Sequence, residues 1–324
     1  MKDGWQPCCD LQHLRRRAQM LTAIRDFFAE RQVLEIETPL LCRTTGTDPQ
    51  LDFFSTRLNT LSDSASLYLQ TSPEFAMKRL LAAGSGDIYQ ICKAFRNGES
   101  GRQHNPEFTI LEWYRLGFDL PALMAEVAEL LQRLLPEQSW QLESRSYQSV
   151  FAQATGLDAL DFSKQLYIEA AIRLGLPEAE SICGDDELLW LDFLFSHCVQ
   201  PCLQGNVIWL IHGYPAKQSS LARLNSQDPR IAERFEVLIH GMELGNGFFE
   251  LCDAVEQESR FDAEIAIRSS QGLSPVAKDQ HLLSALRVGL PECSGIAIGL
   301  DRLLMIASGA TAIDQVLAFP LARA

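Results

Sequence analysis

Three separated stretches of the chain gather side chains suited to a nucleotide, a cation and an ammonium group. The first joins Phe95-Arg96-Asn97 to His104-Asn105-Pro106-Glu107-Phe108 and Glu112-Trp113-Tyr114. Alternate residues of a strand share a face, so Phe108, Ile110, Glu112 and Tyr114 point the same way. A ring, a carboxylate and a phenol on one face suit a flat base and an ammonium. Arg96, ending the preceding strand, offers a planar fork to a phosphate or carboxylate. Glu112 alone also reads as part of a hairpin's solvated face. The whole set favours function, because its loop is dense in Arg, His and Asn beside apolar strands.

The second stretch runs from Arg234 to Glu250. His240-Gly241 reads as a two-residue hairpin turn. Ile239 then opposes Met242, and Leu238 opposes Glu243. Glu236 falls on Glu243's face as a diagonal neighbour, roughly 7–8 Å away by Cα. Two such carboxylates can bracket a hard divalent cation that holds phosphates. Gly245 and Gly247 flank Asn246 and mark a bulge or a close approach to a ligand. Strict alternation puts Glu250 on the opposite face from Glu243; a bulge at the glycines would restore it. An acidic edge hairpin is the competing reading. In the third stretch Gly295, Ala297 and Gly299 share one strand face and leave a flat floor. Arg302 follows in the first turn of a helix. Small residues there also suit a strand packed tightly on a helix, and the two readings stand level.

These groups need a scaffold. Leu14, Ala18, Leu21, Ile24 and Phe28 recur at helical spacing and predict an amphipathic helix over 14–31. A short strand, Val33 to Glu37, follows and stops at Pro39. Another strand is expected at Leu67 to Gln70. A helix from Pro73 to about Ala83 has Ser72 as N-cap. Strands are expected at Ile88–Phe95 and Phe108–Arg115, and a helix at Pro121–Leu135. The segment 138–206 reads as a mostly helical insertion without obvious chemistry. Strands return at Val207–His212 and Arg234–Glu250. Helices are expected at Gln257–Ser270 and Asp279–Val288, then a strand at Gly295–Gly299 and a helix at Asp301–Ser308. Strands in blocks with helices between and after them indicate an α+β fold around a mainly antiparallel sheet.

The chain has 324 residues, 28 Lys+Arg and 42 Asp+Glu, for a formal net charge of −14. That balance disfavours broad electrostatic capture of nucleic acid. No apolar run is long enough to span a bilayer, and the first residues lack a signal-peptide core. The nine cysteines are read as reduced and cytoplasmic. His197, Cys198 and Cys202 form the tightest set, but no second pair completes a metal site, and cysteines on a buried helix are the better reading. No Gly-x-x-x-x-Gly-Lys loop and no Gly-x-Gly-x-x-Gly occurs, so a nucleotide would have to use the sheet faces.

The three stretches, in this order, resemble the signature motifs of class II aminoacyl-tRNA synthetases, most of all the lysyl type. The helix ending at Pro39 resembles the first motif, Arg96 with Phe108 the second, and Gly299-Leu300-Asp301-Arg302 the third. His104-Asn105-Pro106-Glu107-Phe108-Thr109 and Glu243-Leu244-Gly245-Asn246-Gly247-Phe248 are close to lysyl-enzyme wording. The likeness runs from about Leu11 to the C-terminus. It implies one synthetase-like catalytic domain, 1–324, without an anticodon-binding domain. This resembles a stand-alone branch, paralogous to the lysyl enzymes, that modifies translation elongation factor P. Trp5-Gln6-Pro7 and Cys293-Ser294-Gly295 fit that branch.

The resemblance implies ATP and Mg2+ as cofactors and places each residue. Arg96 would hold the substrate carboxylate and the α-phosphate. Phe108 and Arg302 would sandwich adenine, and Asn105 would contact ATP, with Asn97, Gly98, Leu244 and Gly299 beside them. Glu236 and Glu243 would bind magnesium. Ser72, Pro73, Glu74, Glu112, Tyr114, Asn246, Phe248, Glu250 and Ala297 would line the amino-acid pocket. It also implies a homodimer through Leu14–Pro39. Two departures stand out. Arg96-Asn97-Gly98 replaces the usual Arg-x-Glu, with Glu99 next door as a substitute. Ala297 replaces glycine, and its methyl would disfavour an α-amino group by about 1–3 kcal/mol. The expected reaction is activation of (R)-β-lysine and transfer to a lysine of elongation factor P. Charging of tRNA by a truncated synthetase and a catalytically silent paralogue are the alternatives. The acidity disfavours tRNA; Arg96, Glu243, Glu250 and Arg302 disfavour silence.

Overall fold

The structure, a computed structural model, describes residues 5–59, 64–137 and 139–324. The signal-peptide reading of residues 1–4 and the first residue of the expected insertion, Gln138, lie outside the described residues. In chain order the elements are α1 (Leu11–Glu30), β1 (Leu34–Glu35), β2 (Leu41–Cys42), β3 (Ser55–Asn59), β4 (Ser64–Leu69), α2 (Glu74–Ala82), β5 (Ile88–Phe95) and β6 (Glu107–Leu116). Then come α3 (Leu120–Leu134), β7 (Gln141–Ser146), α4 (Tyr147–Thr155), α5 (Lys164–Arg173), α6 (Ala179–Cys183), α7 (Glu187–Leu194), β8 (Val207–Pro215), β9 (Ile231–Ile239) and β10 (Met242–Phe249). The last are α8 (Ala254–Ser270), α9 (Gln280–Gly289), β11 (Cys293–Gly299) and α10 (Leu300–Ser308). The chain divides into two compact units, Met1–Phe118 with Leu251–Ala324, and Asp119–Glu250.

In the first unit β1, β5, β6 and β11 are neighbours in that order, parallel between β1 and β5 and antiparallel thereafter. A small antiparallel sheet, β2-β4-β3, stands apart. The expected strand at 33–37 is reduced to Leu34 and Glu35, paired with Ile88 and Tyr89, and the Ile36 N–H still donates to the Tyr89 carbonyl at 2.9 Å. Trp113 faces the side of β6 away from Glu112. Its ring lies 5.4 Å from Phe28, which stacks on Tyr89 at 4.4 Å. The apolar stripe of α1 is therefore Met20, Ile24, Phe27 and Phe28, while Ala18 is exposed and Leu14 and Leu21 are half-buried. The spacing identified the helix, but the aromatic partners chose which edge is buried. Truncating Phe28 to Ala would cost about 3–5 kcal/mol.

Five helices (α1, α3, α7, α8 and α9) begin on an aspartate whose carboxylate accepts first-turn N–H groups, namely Asp10, Asp119, Asp186, Asp253 and Asp279. The expected Ser72 cap is displaced by one residue. Pro73 holds the cap position in helical conformation, and α2 starts at Glu74. The Ser72 hydroxyl still accepts the Glu74 N–H at 3.0 Å.

In the second unit β10, β9, β8 and β7 are neighbours, antiparallel except for β7 with β8. The segment 138–206 lies inside this unit and is mostly helical, but it opens on a strand that the sequence reading did not include. Its Gln-Leu-Glu-Ser-Arg-Ser has no apolar run, and parallel pairing of Leu142 with Ile208 decides its state. Helices α4 to α7 then bring Tyr147, Phe151, Trp190, Leu191 and Leu194 into one core with Ile211, Tyr214 and Leu238 of β8 and β9. Tyr147 lies 4.8 Å from Phe195 and 4.7 Å from Tyr214 between ring centroids. No disulfide joins the nine cysteines, but Cys198 is half-buried and Cys202 exposed, so that turn is not the buried helix expected.

Candidate functional site

The first unit buries Glu112 to 2% exposure on the face of β6. Ser72 donates its hydroxyl to Glu112 Oε1 at 2.6 Å, and the Tyr114 hydroxyl reaches Oε2 at 3.5 Å. The neighbouring strand supplies the floor. Gly295 pairs with Tyr114, Ala297 with Glu112, and Gly299 with Ile110. Directly opposed residues have Cβ atoms about 4.5–5.5 Å apart, so Glu112 lies between two cross-strand neighbours, the Ala297 methyl on β11 and the buried Gln90 on β5. Burial and the Glu112 charge push the Cys92 thiol up to about 12. Glu74 is placed differently. Its Oε1 pairs at 2.6 Å with Lys78 one turn along α2, a lysine only 2% exposed. Pro73 is buried and shapes the start of α2.

The loop between β5 and β6 carries the second group. Arg96 stands over the Phe108 ring, 5.1 Å from its centroid, and 3.5 Å from Glu99 Oε1. Its Nε is buried without a hydrogen-bond partner. A buried unused donor on a guanidinium is a handle for an anion. Gly98, at φ 78°, turns the chain so that Glu99 comes back towards Arg96 and His104. Asn97 donates its amide to Asp52 Oδ2 at 2.6 Å. Asn105 donates to the Glu107 carbonyl at 2.6 Å and accepts the Leu321 N–H at 3.0 Å. Arg302 reaches from α10 to the Gln103 carbonyl and His104. The half-buried Gly299 is the residue from which α10 springs. Asp301, which sequence reasoning passed over, accepts the Thr109 N–H at 2.7 Å and pairs with Arg17 of α1.

The second unit holds the carboxylate hairpin. His240 and Gly241 both have positive φ, at 53° and 71°, the left-handed pair that a tight hairpin of this hand requires. Met242 pairs with Ile239 and Glu243 with Leu238; the register then shifts at Leu244, so Asn246 faces Glu236. This bulge places Glu243, Asn246, Phe248 and Glu250 on one face, resolving the alternation left open by the sequence. Leu244 is the extra residue and is buried.

Arg234 dominates that face. Its Nη2 pairs with Glu236 Oε1 at 2.5 Å, and its Nε donates to Asn246 Oδ1 at 3.0 Å. Nη1 donates to the Gln218 carbonyl at 2.6 Å, and the guanidinium lies 4.5 Å from the Tyr214 ring centroid. Burial, then the like charge of Glu243, pushes the Glu236 carboxyl up to about 7 against the opposing pull of Arg234. Phe248 packs on Ala222 and Ala232, and Glu250 is 1% exposed and bridged to Ala222. Lys78 and Arg234 were missed in the sequence, although Glu74 at i−4 and Glu236 at i+2 signalled both.

Among the described residues no group of three or more His, Cys, Asp or Glu is placed to hold a metal ion. Glu236 and Glu243 nevertheless crowd each other, and a hard cation relieves that repulsion. Magnesium takes one or two carboxylates and completes its shell with phosphate and water. The pair fits magnesium arriving with a nucleotide.

Comparison with known proteins places the chain in a family. The family of class II tRNA synthetases (D, K and N) matches residues 10–323. The elongation factor P–(R)-β-lysine ligase of Vibrio parahaemolyticus is 48% identical over 322 residues, 99% of this chain and 99% of its own length. The proteins of the same name from Pectobacterium atrosepticum and Photobacterium profundum are 47% and 46% identical over 323 residues, covering 99% of this chain and 98% and 99% of their own lengths.

Proposed function

The chain belongs to the class II tRNA synthetase family, and from that premise we propose that it is an ATP-dependent ligase acting on translation elongation factor P. It activates (R)-β-lysine as an aminoacyl-adenylate and transfers it to the ε-amine of a lysine on that factor. The observation that carries this reading is Glu112, a buried carboxylate met by two hydroxyls and opposed by Ala297 on a floor of small residues. A carboxylate so placed favours an ammonium ligand, and the methyl opposite it favours an amine one carbon further from the carboxyl group.

The substrate carboxylate attacks the α-phosphorus, forming a C–O–P bond as the bond to pyrophosphate breaks. The acceptor amine then attacks the acyl carbon, AMP leaves with the former carboxylate oxygen, and the amine loses a proton. Arg96 holds the carboxylate and α-phosphate with its unused donor, and Phe108 and Arg302 hold adenine. Asn97, Gly98, Leu244 and Gly299 are the further ATP-binding positions that the family resemblance assigns. In the first unit Glu112, Tyr114 and Ser72 orient an amine, with Pro73, Glu74 and Ala297 beside them; in the second unit Asn246, Phe248 and Glu250 carry the remaining amino-acid contacts that the family resemblance assigns. Glu236 and Glu243 would hold magnesium, which would supply charge neutralisation to the phosphates. Positioning and charge neutralisation supply most of the acceleration in reactions of this kind.

Action on a translation factor places the proposed activity in the cytoplasm. Among the described residues no helix is long and apolar enough to cross a membrane. Exposed Leu34, with exposed Leu11 and Leu41 just beyond either end, supports a homodimer contact through Leu14–Pro39, which sedimentation tests. ATP–pyrophosphate exchange with (R)-β-lysine and α-lysine, followed by tracing the label, tests the function. Exchange with (R)-β-lysine and label on elongation factor P is expected. No exchange with either, or label on tRNA alone, overturns it.

A further inference from the structure

The loop that carries Arg96 and ends at Phe108 is gripped from the far end of the chain. The Ile313 N–H donates to the Arg102 carbonyl at 2.8 Å, and Arg102 Nε donates to the Thr311 carbonyl at 3.0 Å. The Leu321 N–H donates to Asn105 Oδ1 at 3.0 Å, and the other end of that amide donates to the Glu107 carbonyl, one residue before Phe108. Arg302 holds Gln103 and His104 between these points. Each residue from Arg102 to Asn105 is thus fastened by something beyond Asp301. The C-terminal segment is itself anchored. Cys8 and Cys9 donate N–H groups to the Ala318 and Leu317 carbonyls at 2.8 and 3.2 Å. Arg323 Nη2 donates to the Gln6 carbonyl at 3.0 Å, and Arg17 Nη2 to the Val316 carbonyl at 3.2 Å.

We infer that the segment from Thr311 to Arg323 is a positioning element for ATP, and that the Leu321 N–H with Asn105 is its latch. The inference rests on the ATP site of the proposed function. Asn105 then acts on the nucleotide through the loop. Both ends of its amide are engaged by backbone, which fixes the orientation of the group. Its bond to Glu107 sets the start of β6, hence the plane of Phe108 and the site of Arg96, which stands over that ring. Leu321 contributes to this through its backbone, since its side chain is 60% exposed.

The backbone donor can be removed alone. Leu321 opens a short helical turn, and Pro320 before it has φ −66° and ψ 163°. Proline is well tolerated at the first position of such a turn, and an extended residue suits the place before it. Leu321→Pro therefore deletes the N–H and keeps the path of the chain. Loss of one hydrogen bond predicts a three- to ten-fold weaker affinity for ATP, read by calorimetric titration without amino acid. Asn105→Ala weakens it similarly or somewhat more, and the double variant is no worse than Asn105→Ala alone, since both remove one interaction. Arg102→Ala, an exposed position where folding is not at stake, gives about two- to three-fold. In pyrophosphate exchange the KM for ATP rises while the KM for (R)-β-lysine stays put.

Normal ATP affinity in Leu321→Pro beside weakened affinity in Asn105→Ala overturns the latch and returns Asn105 to direct contact with ATP. Additive losses in the double variant overturn it as well. ATP titration needs neither amino acid nor acceptor. Latch effects on ATP without exchange on (R)-β-lysine would therefore sink the ligase reading and leave the latch standing.

Discussion

Glu112 in the first unit and Glu236 in the second are buried to similar extents, 2% and 7% exposed, on strand faces of similar make-up. They are met differently. Glu112 receives the hydroxyls of Ser72 and Tyr114, while Glu236 receives the guanidinium of Arg234 and the like charge of Glu243. A hydroxyl orients a carboxylate without cancelling its charge, as the ammonium-binding role proposed for Glu112 requires. A buried guanidinium cancels charge, and a second carboxylate beside the pair restores part of it. The first arrangement suits the organic cation proposed for it. The second is a balanced cluster that tolerates an added cation or, failing that, a proton.

The comparison breaks most easily at Arg234. Arg234→Met keeps the bulk over Tyr214 and strips Glu236 of its counter-charge. Removing one partner of a buried pair costs about 3–5 kcal/mol, which urea unfolding would read. A stability equal to the parent would mean that Glu236 does not lean on Arg234. Glu112→Gln sharpens the other side. Ser72 can still donate to the amide oxygen, so stability should change by less than about 1 kcal/mol. The loss should appear instead as a 30- to 100-fold fall in kcat/KM for (R)-β-lysine, about 2–3 kcal/mol of charge-assisted hydrogen bonding. The KM for ATP should not move. A fall confined to ATP would remove Glu112 from amine recognition.

Much of this contrast was legible beforehand, and the rest was not for identifiable reasons. Ile88–Phe95 was read to the residue and Phe108–Arg115 to within one at each end, because aromatic and β-branched side chains alternate between polar loops. The His240-Gly241 turn and its first two pairs also followed from local chemistry. The bulge at Leu244 did not, since two glycines show that a backbone can deviate without saying where. Strand β7 has a polar sequence and exists through its neighbour. Lys78 and Arg234 sat at visible spacings from Glu74 and Glu236, yet an ion pair matters only once burial is known. The division at Phe118 and Leu251 falls where no Gly- or Ser-rich linker marks it.

A smaller test lies beside Glu112. Ala297→Gly takes away the methyl facing that carboxylate and opens the floor to an α-amine. One methyl in a pocket is worth about 1–3 kcal/mol, so the (R)-β-lysine to α-lysine ratio of kcat/KM in pyrophosphate exchange should fall by at least several-fold. An unchanged ratio would place discrimination elsewhere in the pocket.

The least of the expected effects concerns Glu264, a third shielded carboxylate that resembles Glu112 in being met by a hydroxyl. Thr47 donates to it, and burial pushes its carboxyl up to about 6 against that bond. Its surroundings tie the 43–52 loop to α8 and α9. Arg268 Nη1 donates to the Asp48 and Leu51 carbonyls at 2.9 and 3.3 Å, and the Thr44 hydroxyl to Asp279 Oδ2 at 2.6 Å. Asp52, just beyond, holds Asn97. A carboxyl raised from its ordinary 4.5 binds more protons folded than unfolded between pH 4.5 and 6. Stability must then fall as pH rises through that window; the contribution is complete below 4.5 and gone above 6. Glu264→Gln is neutral throughout and should remove that part of the slope, leaving parent and variant curves that converge at low pH and separate above 6 in urea titrations. Parallel curves would show that a hydroxyl and partial burial leave a carboxyl unmoved here. The contrast between hydroxyl-met and guanidinium-met carboxylates would then rest on Glu112 and Glu236 alone.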